Sequence, residues 1–487
     1  MPVDFTLLFP DDGPLQGRIY AGFRAAILGG RLALGERVPS TRQLARGLTV
    51  SRTTVTAAYE RLHAEGYLET SAGSGTFVSA RLPEGMLEPA PAGSASEANS
   101  TSAPRLSVRG RAIANARNLE VPDDTAIIHF RNGCPGLDCF PYETWRRLHS
   151  RRMRDLSPSI LDYQQDRAGH EPLRRAIARY LTRYRAVRCD ASQVVLVSGS
   201  QQALALTGEI LIDSGDRVAV ENPGYRGAIV SFATRGARLH PLTVDGEGAL
   251  PAALPKSAKL VYLTPAHQFP TGVVMPLARR LEFLAWAAAT DSMILEDDYD
   301  SEFRFEGRPT PSMQGLDRAG RVLYAGTFSK VLFPGLRLGY LVAPPALVNV
   351  LTRAKFLADR QCAAIDQLVL TDFLEQGHFE RHVRRMRSLY ATRRQTLADA
   401  LAHFLGPRAR IHGEPAGLHV MLEIDTPLRA EELLARALAA GVSMGNAAAC
   451  YLDAYAGPPR LVLGFAALPE RTIREGIRRL ARALRLQ

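Results

Sequence analysis

The chain has 487 residues, 46% of them hydrophobic and 22% charged, with a formal net charge of +11. That length exceeds one typical core, so two or more domains are expected. No apolar run approaches a membrane span, Met1-Pro2-Val3-Asp4 lacks the basic and apolar regions of a signal peptide, and the five cysteines form neither a CxxC pair nor a metal-ligand cluster; the expectation is a soluble cytoplasmic protein without membrane or metal.

Charge alone does not locate a nucleic-acid surface. Residues 1–80 carry eight arginines against seven carboxylates, while residues 146–188 carry twelve arginines against four acids. The pattern of residues 1–80 is more specific. Leu15, Ile19, Phe23 and Ile27 recur every four residues, predicting one face of a helix that ends near Gly29-Gly30. Ser40 followed by Gln43 is a capping box opening a second helix, and Ser51 caps a third with Val55, Ala58, Tyr59 and Leu62 on its buried face. Tyr67–Glu69 and Thr76–Val78 flank Ala72-Gly73-Ser74-Gly75 as a hairpin.

Three short helices and a hairpin predict a winged helix-turn-helix, whose third helix presents its N-terminal residues to base edges in the major groove. Arg52, Thr53 and Thr54 occupy those positions, Arg42 is placed for a phosphate or base, and Gly75 lets the wing backbone approach the minor groove. Pro39-Ser40-Thr41-Arg42-Gln43-Leu44-Ala45, Val50-Ser51-Arg52-Thr53-Thr54-Val55 and Gly73-Ser74-Gly75-Thr76-Phe77-Val78 closely resemble the GntR-type winged helix of bacterial regulators.

Residues 81–126 read as a linker. From Glu88 to Pro104 there is no aliphatic side chain larger than alanine and no aromatic, so nothing offsets the entropy of ordering the segment. A flexible chain of that length reaches roughly 35–40 Å root-mean-square.

From about residue 127 to 487, strands alternate with helices, the signature of a mainly parallel sheet. Val194–Val197, Val218–Val220, Leu260–Leu263, Met293–Leu295 and Val322–Ala325 read as buried strands, and ligands of such sheets sit at the strands' carboxyl ends. Those ends carry Ser198-Gly199-Ser200-Gln201, Asn222-Pro223-Gly224-Tyr225, His267-Gln268-Phe269-Pro270-Thr271-Gly272, Asp297-Asp298-Tyr299, and Thr327-Phe328-Ser329-Lys330 with Arg337 beyond it. Lys330 is one of only four lysines among 60 basic residues. Where arginine supplies nearly every positive charge, a lysine between hydroxyls asks for a primary amine, as a Schiff base to an aldehyde does. Phosphate cradle, ring platform, carboxylate, phenol, amine and arginine together fit pyridoxal 5'-phosphate.

The order and spacing resemble a PLP-dependent transferase of fold-type I, the aminotransferase class, over residues 127–487 of an overall α/β chain. That resemblance implies that Lys330 bonds the cofactor aldehyde, Asp297 its ring nitrogen, and Tyr299 its phenolic oxygen, with Tyr225 stacked on the ring. It implies a phosphate held by Ser200, Gln201, Thr327, Ser329 and Arg337, a substrate or effector carboxylate on Arg460, and Tyr163 reaching the partner's cofactor in a homodimer. Phe269 stands where aminotransferases commonly carry an asparagine that donates to the phenolic oxygen; His267 is the candidate substitute.

A GntR-type reader, a linker and an aminotransferase-like domain resemble the MocR/PdxR group of regulators. The resemblance implies a dimeric regulator of a double-stranded DNA operator, responsive to pyridoxal phosphate or to an amino compound that reacts with it, with at most partial transaminase chemistry. The alternative is a working aminotransferase with an appended DNA-binding domain.

Overall fold

A computed structural model describes residues 13–71, 74–82, 105–116, 126–163, 166–307, 310–413 and 415–485. Two compact units divide the chain, Met1–Arg105 and Leu106–Gln487.

In the first unit, helices α1 (Leu15–Leu28), α2 (Thr41–Gly47) and α3 (Arg52–Ala64) precede strands β1 (Leu68–Ser71) and β2 (Gly75–Val78). Ile19, Phe23, Ala26 and Ile27 form the buried face of α1; Leu15, expected in that face, is 42% exposed. The expected capping box is present, Gln43 N donating to Ser40 Oγ and Ser40 N to Gln43 Oε1. Ser51 Oγ accepts from Thr54 N at 3.1 Å, and Val55, Ala58, Tyr59 and Leu62 are the buried residues of α3. The Tyr59 hydroxyl donates to the Pro39 carbonyl at 2.9 Å, fixing α3 against the entry to α2. The hairpin pairs Leu68 with Val78 and Ser71 with Gly75, longer than the sequence pattern predicts; Ala72 and Gly73 of its tip lie outside the described residues.

Of the expected linker, residues 83–104 and 117–125 lie outside the described residues. Its later part carries a helix, α4 (Val108–Ala114), that composition does not predict. Ser107 caps it by accepting from Gly110 N at 2.9 Å, and Arg109 pairs with Glu209 at 3.4 Å.

The second unit holds two sheets. Their strands are β3 (Ile128–Phe130), β4 (Val194–Val197), β5 (Arg217–Asn222), β6 (Arg238–Asp245), β7 (Gly248–Ala249), β8 (Ala258–Leu263) and β9 (Met293–Asp298). There follow β10 (Val322–Thr327), β11 (Gly339–Val342), β12 (Ala409–His412), β13 (His419–Ile424), β14 (Val442–Asn446) and β15 (Arg460–Gly464). The larger sheet runs β4-β11-β10-β9-β8-β5-β6-β7, and the smaller β12-β13-β15-β14-β3. In the larger sheet β6, β5, β8, β9 and β10 are parallel, so their carboxyl ends share one edge. Val194–Val197, Val218–Val220 and Val322–Ala325 are buried throughout, as strands covered on both faces must be. No helix among the described residues is long and apolar enough to cross a membrane.

Removing the α3 cap by Ser51→Ala should destabilise the reader by about 1 kcal/mol. Amide exchange in α3 should then be severalfold faster, with exchange in β8–β10 unchanged.

Candidate functional site

Strand alternation sorts the carboxylates of β9, because successive side chains point to opposite faces. Glu296 accepts from the backbone amides of Met313 and Gln314, both at 2.9 Å. Asp298 pairs with Arg185 at 2.7 Å and accepts the Tyr324 hydroxyl at 2.5 Å. Asp297, between them, faces a cavity of about 200 Å³ whose lining includes Ser200, Tyr225, Phe269, Tyr299, Lys330 and His419. Its Oδ2 accepts the Tyr262 hydroxyl at 2.8 Å, while Oδ1 is buried without a partner. Burial drives the Asp297 carboxyl from 3.8 up to about 7, against the opposing hydrogen bond from Tyr262.

Lys330 enters the same cavity from the turn after β10, which is β9's parallel neighbour. Gly133, at φ +63°, lies against the amine: a Cβ there would stand 2.6 Å from Lys330 Nζ. Burial lowers the Lys330 pKa against the charges of Asp300, Cys134 and Asp297. That favours the neutral amine, the form that attacks carbonyl carbon.

The residues expected to hold a phosphate lie where β4 turns into the helix Ser200–Leu211 and from the end of β10 onward; of these Ser200 lines the cavity, while Gln201, Thr327, Ser329 and Arg337 do not. Gly199 adopts φ +90°, and a Cβ there would meet Arg337 Nη1 at 3.2 Å. Arg337 Nη2 donates to the Ser198 carbonyl at 2.5 Å. Thr327 and Ser329 are buried; Thr327 Oγ1 accepts from Ser329 N at 3.2 Å, and Ser329 Oγ has no partner. Ser200 and Gln201 open the helix, whose first amides and positive dipole end suit an anion.

Two turns complete the walls. Gln268 Nε2 donates to the Pro223 carbonyl at 2.9 Å, and Thr264 Oγ1 donates to buried Glu221 at 2.6 Å while accepting from Phe269 N at 3.0 Å. This holds the Tyr225 and Phe269 rings edge to face at 5.8 Å. The Tyr299 hydroxyl donates to the His267 carbonyl at 2.8 Å.

His267 requires a correction as the asparagine substitute. Its Nδ1 is taken by Asp300 at 3.0 Å, and it is absent from the lining of the Lys330 cavity. The imidazole that does line the cavity belongs to His419, on β13. Its ring bonds the Pro270 carbonyl, and burial, then the neighbouring His267, pushes its pKa well below the ordinary value. Among the described residues, His267, Asp300 and His419 bring three potential ligand atoms within 4.8 Å of one another. Asp300 spends its oxygens on His267 and the Leu418 amide, and His419 bonds the Pro270 carbonyl.

Arg460 does not line the cavity either. Its Nε donates to Glu423 at 2.8 Å and its Nη1 to the Tyr451 hydroxyl at 2.7 Å. Tyr163 is 70% exposed, beneath the Arg360 guanidinium at 5.0 Å. Asn132, Tyr262, Thr264 and His419 line the cavity and were missed by sequence reasoning. Only Asn132, beside a glycine in a polar turn, carried a local signal.

In the first unit Arg42, Arg52 and Thr53 are exposed. Thr54 is half-buried, its hydroxyl 2.7 Å from Ser51 Oγ and so committed to the cap. Gly75, at φ +121°, opens β2, and a Cβ there would meet Arg37 Nε at 2.9 Å. Arg37 is thus an exposed cation beside the wing that the sequence pattern does not single out.

Residues 143–480 match the family described as aminotransferase class I and II, and residues 15–78 match the bacterial regulatory proteins of the gntR family. The probable rhizopine catabolism regulatory protein MocR of Rhizobium meliloti is 39% identical, over 97% of this chain and 94% of that protein. The chain belongs to the MocR-type transcription regulators. The pyridoxine biosynthesis regulator PdxR of Corynebacterium glutamicum is 30% identical over 93% of this chain and 92% of its own length. Among solved structures, the α-aminoadipate aminotransferase LysN of Thermus thermophilus, complexed with N-(5'-phosphopyridoxyl)-L-leucine, is 31% identical. It superposes with a TM-score of 0.71, covering 77% of this chain and 96% of that one. The chain is therefore a MocR-type regulator joining a GntR winged helix to a fold-type I aminotransferase-like domain.

The raised Asp297 pKa has a consequence for stability. An acid whose folded pKa exceeds its unfolded value binds extra protons when folded, so its contribution is lost as pH rises from about 4 to about 7. Without cofactor, Asp297→Asn should melt above the wild type at pH 8 and near it at pH 4. The same variant should bind pyridoxal phosphate at least about tenfold more weakly, the size of one charge-assisted hydrogen bond.

Proposed function

We propose that this MocR-type regulator binds pyridoxal 5'-phosphate in the Lys330 cavity and couples its occupancy, or its reaction with an amino compound, to operator binding. The observation that carries the reading is a pair of buried polar atoms without partners, the acceptor Asp297 Oδ1 in the Lys330 cavity and the Ser329 hydroxyl beside Lys330 in the chain. Buried polar atoms without partners are costly; a pyridinium N–H donating to Asp297 and a phosphate oxygen accepting from the Ser329 hydroxyl would satisfy these two. When bound, the cofactor supplies an aldehyde and an electron-withdrawing ring. Asp297 would keep the ring nitrogen protonated, Tyr225 and Phe269 would confine the ring, and Tyr299 would turn its hydroxyl from the His267 carbonyl to reach the phenolic oxygen. Ser200, Gln201, Thr327, Ser329 and Arg337 hold the phosphate.

The regulator acts as a homodimer in the cytoplasm, where operator DNA is found. Tyr163 is strongly exposed and lines no part of its own chain's cavity, which suits a residue completing the partner's site. The reader carries a net charge of only +1 by residue count over residues 1–80. Its general attraction to phosphate is weak, so two tethered copies gain from effective concentration on a two-site operator. Working transamination is the second reading, kept open by Lys330 and Asp297. Phe269 in the asparagine position and Arg460 already paired with Glu423 weigh against it, and steady-state assays with amino donors and keto acids should show little turnover.

Borohydride reduction of the loaded protein should fix the cofactor covalently on Lys330, and Lys330→Ala should abolish it; a peptide map placing the adduct on Lys256, Lys259 or Lys355 refutes the assignment. Arg52→Ala should weaken specific operator binding by about 1–3 kcal/mol and relax base preference. Pyridoxal phosphate should alter the full chain's affinity for two-site DNA more than for a single half-site. Equal effects on the two DNAs would exclude coupling through the dimer.

A further inference from the structure

Most of the chain's excess charge lies outside the reader. Residues 146–188 carry twelve arginines against four acids, eight of the eleven net positive charges, and none of those arginines lines the Lys330 cavity. Arg152, Arg174 and Arg185 are paired with Asp372, Asp166 and Asp298. Arg146, Arg175 and Arg179 are exposed, and each is paired with a glutamate of its own neighbourhood. Arg147, Arg151 and Arg154 differ from both groups. They share the helix Tyr142–Arg154, are exposed, and form no hydrogen bond or ion pair among the described residues. That helix buries Leu148, half-buries Trp145 and turns Arg152 onto Asp372. Spacings of three and four residues keep 145, 148 and 152 on one face and 147, 151 and 154 on another.

Two ring contacts bring further cations beside this stripe. Trp145 meets Phe373 at 5.6 Å and Phe373 meets His378 at 5.6 Å, so the helix His378–Leu405 starts next to the arginine helix. Arg381 Nη2 lies 2.7 Å from His378 Nδ1. Arg384 and Arg385 are exposed and form no hydrogen bond or ion pair among the described residues. Burial, and then the guanidiniums of Arg381 and Arg147, lower the His378 pKa, so charges from both helices meet at this ring. The acids on the two stretches are Glu143, taken by Arg146, Asp155, exposed beyond the helix end, and half-buried Glu380.

Guanidiniums grouped on one face repel one another, and a polyanion relieves that repulsion. Arginine forks a phosphate with two parallel N–H donors. From 147 to 154 the stripe spans about 10 Å at the helical rise. One strand of a duplex carries a phosphate per roughly 3.4 Å of axis, so the stripe can face about three.

We propose that this arginine face, Arg147, Arg151 and Arg154 with Arg381, Arg384 and Arg385 beside them, is a second DNA-binding surface of the regulator. It holds duplex phosphates without reading bases, and supplies the general attraction that a reader with a net charge of +1 lacks. The surface is independent of the cofactor reading.

The full chain, as wild type and as Arg147→Gln/Arg151→Gln/Arg154→Gln, is titrated with a random-sequence duplex over a range of salt concentrations. A control, Arg175→Gln/Arg179→Gln/Arg478→Gln, removes the same net charge from arginines already paired with glutamates. Each phosphate contact contributes about 0.9 to the slope of log affinity against log salt. The stripe variant should therefore lose about two to three units of slope and bind about tenfold more weakly at low salt, while the control stays within about one unit of the wild type. Arg381→Gln/Arg385→Gln should also lower the slope, and it decides the matter if the stripe variant does not fold. Equal slopes in the wild type and the patch variants overturn the proposal. An equal loss in the control does so too, because it reports net charge alone. A stripe variant that sediments as a monomer where the wild type is a dimer overturns it as well, the face then being a subunit contact. Capture by phosphatidylserine vesicles that the stripe variant loses, with its DNA slope unmoved, assigns the face to a membrane instead. A wild type that binds no duplex defeats the DNA reading of the whole chain, whereas binding with an unmoved slope defeats only the second surface.

Discussion

The parallel register of β9 against β10 is the constraint on which the site depends. Ala325 lies opposite Asp297 and Gly326 opposite Asp298, so Asp297 and the Lys330 turn leave the sheet at the same edge from adjacent strands. A slip of one residue would exchange the roles of two neighbouring carboxylates, because each step along a strand reverses the face. Asp298 would then confront the cavity and Asp297 would meet Arg185. The buried Arg185–Asp298–Tyr324 group makes such a slip costly: Arg185 would be left buried without its carboxylate, a penalty of several kcal/mol. An ion pair remote from the chemistry thereby fixes which carboxylate faces the ligand.

A second layer of constraint joins the turns at the strand ends. Glu221, fully buried at the end of β5, has a carboxyl raised by burial to about 7, with the opposing bonds from Thr264 and Gln268 unable to offset it. Its bonds tie the Tyr225 turn to the Phe269 turn, and the Asn222 and Gly224 bonds tie the same turn to residues 450–452. The ring platform, the phenylalanine wall and the Arg460 subsite are thus parts of one hydrogen-bonded unit.

The features legible in the sequence were those set by neighbours a few residues away. Ser40 with Gln43, Ser51 as a cap, and the spacing of Val55, Ala58, Tyr59 and Leu62 are all settled within one or two helical turns. The buried strands were legible because a strand covered on both faces is apolar without interruption. Lys330 was legible through scarcity, in a chain that uses arginine almost everywhere else. Pairings between distant strands were not legible: Glu423 with Arg460, Arg185 with Asp298, and His419 brought to the cavity by the smaller sheet. Each depends on which strands become neighbours, and no local pattern carries that information. His267 looked like a ligand-facing residue because it sits two positions before Phe269. Asp300, three residues beyond Asp297, claims its ring instead. Helix α4 escaped a reading by composition, since one capping serine and one ion pair to Glu209 accompany a seven-residue helix inside a segment otherwise poor in order-promoting side chains.

Catalysis and sensing place different demands on such a site. Turnover requires interactions that strengthen as the reaction proceeds, and a donor to the cofactor's phenolic oxygen serves that end in aminotransferases. Phe269 supplies none; it packs with Met421 and Val462, trading an electronic contact for a wall that joins the cavity to the Glu423–Arg460 pair. Sensing requires only that a ligand bind one arrangement of the protein better than another. The 450–452 loop is joined to the Tyr225 turn through Asn222 and Gly224. Phe269 in the cavity wall is thus the departure from an aminotransferase site, while Lys330 and Asp297 face the same cavity.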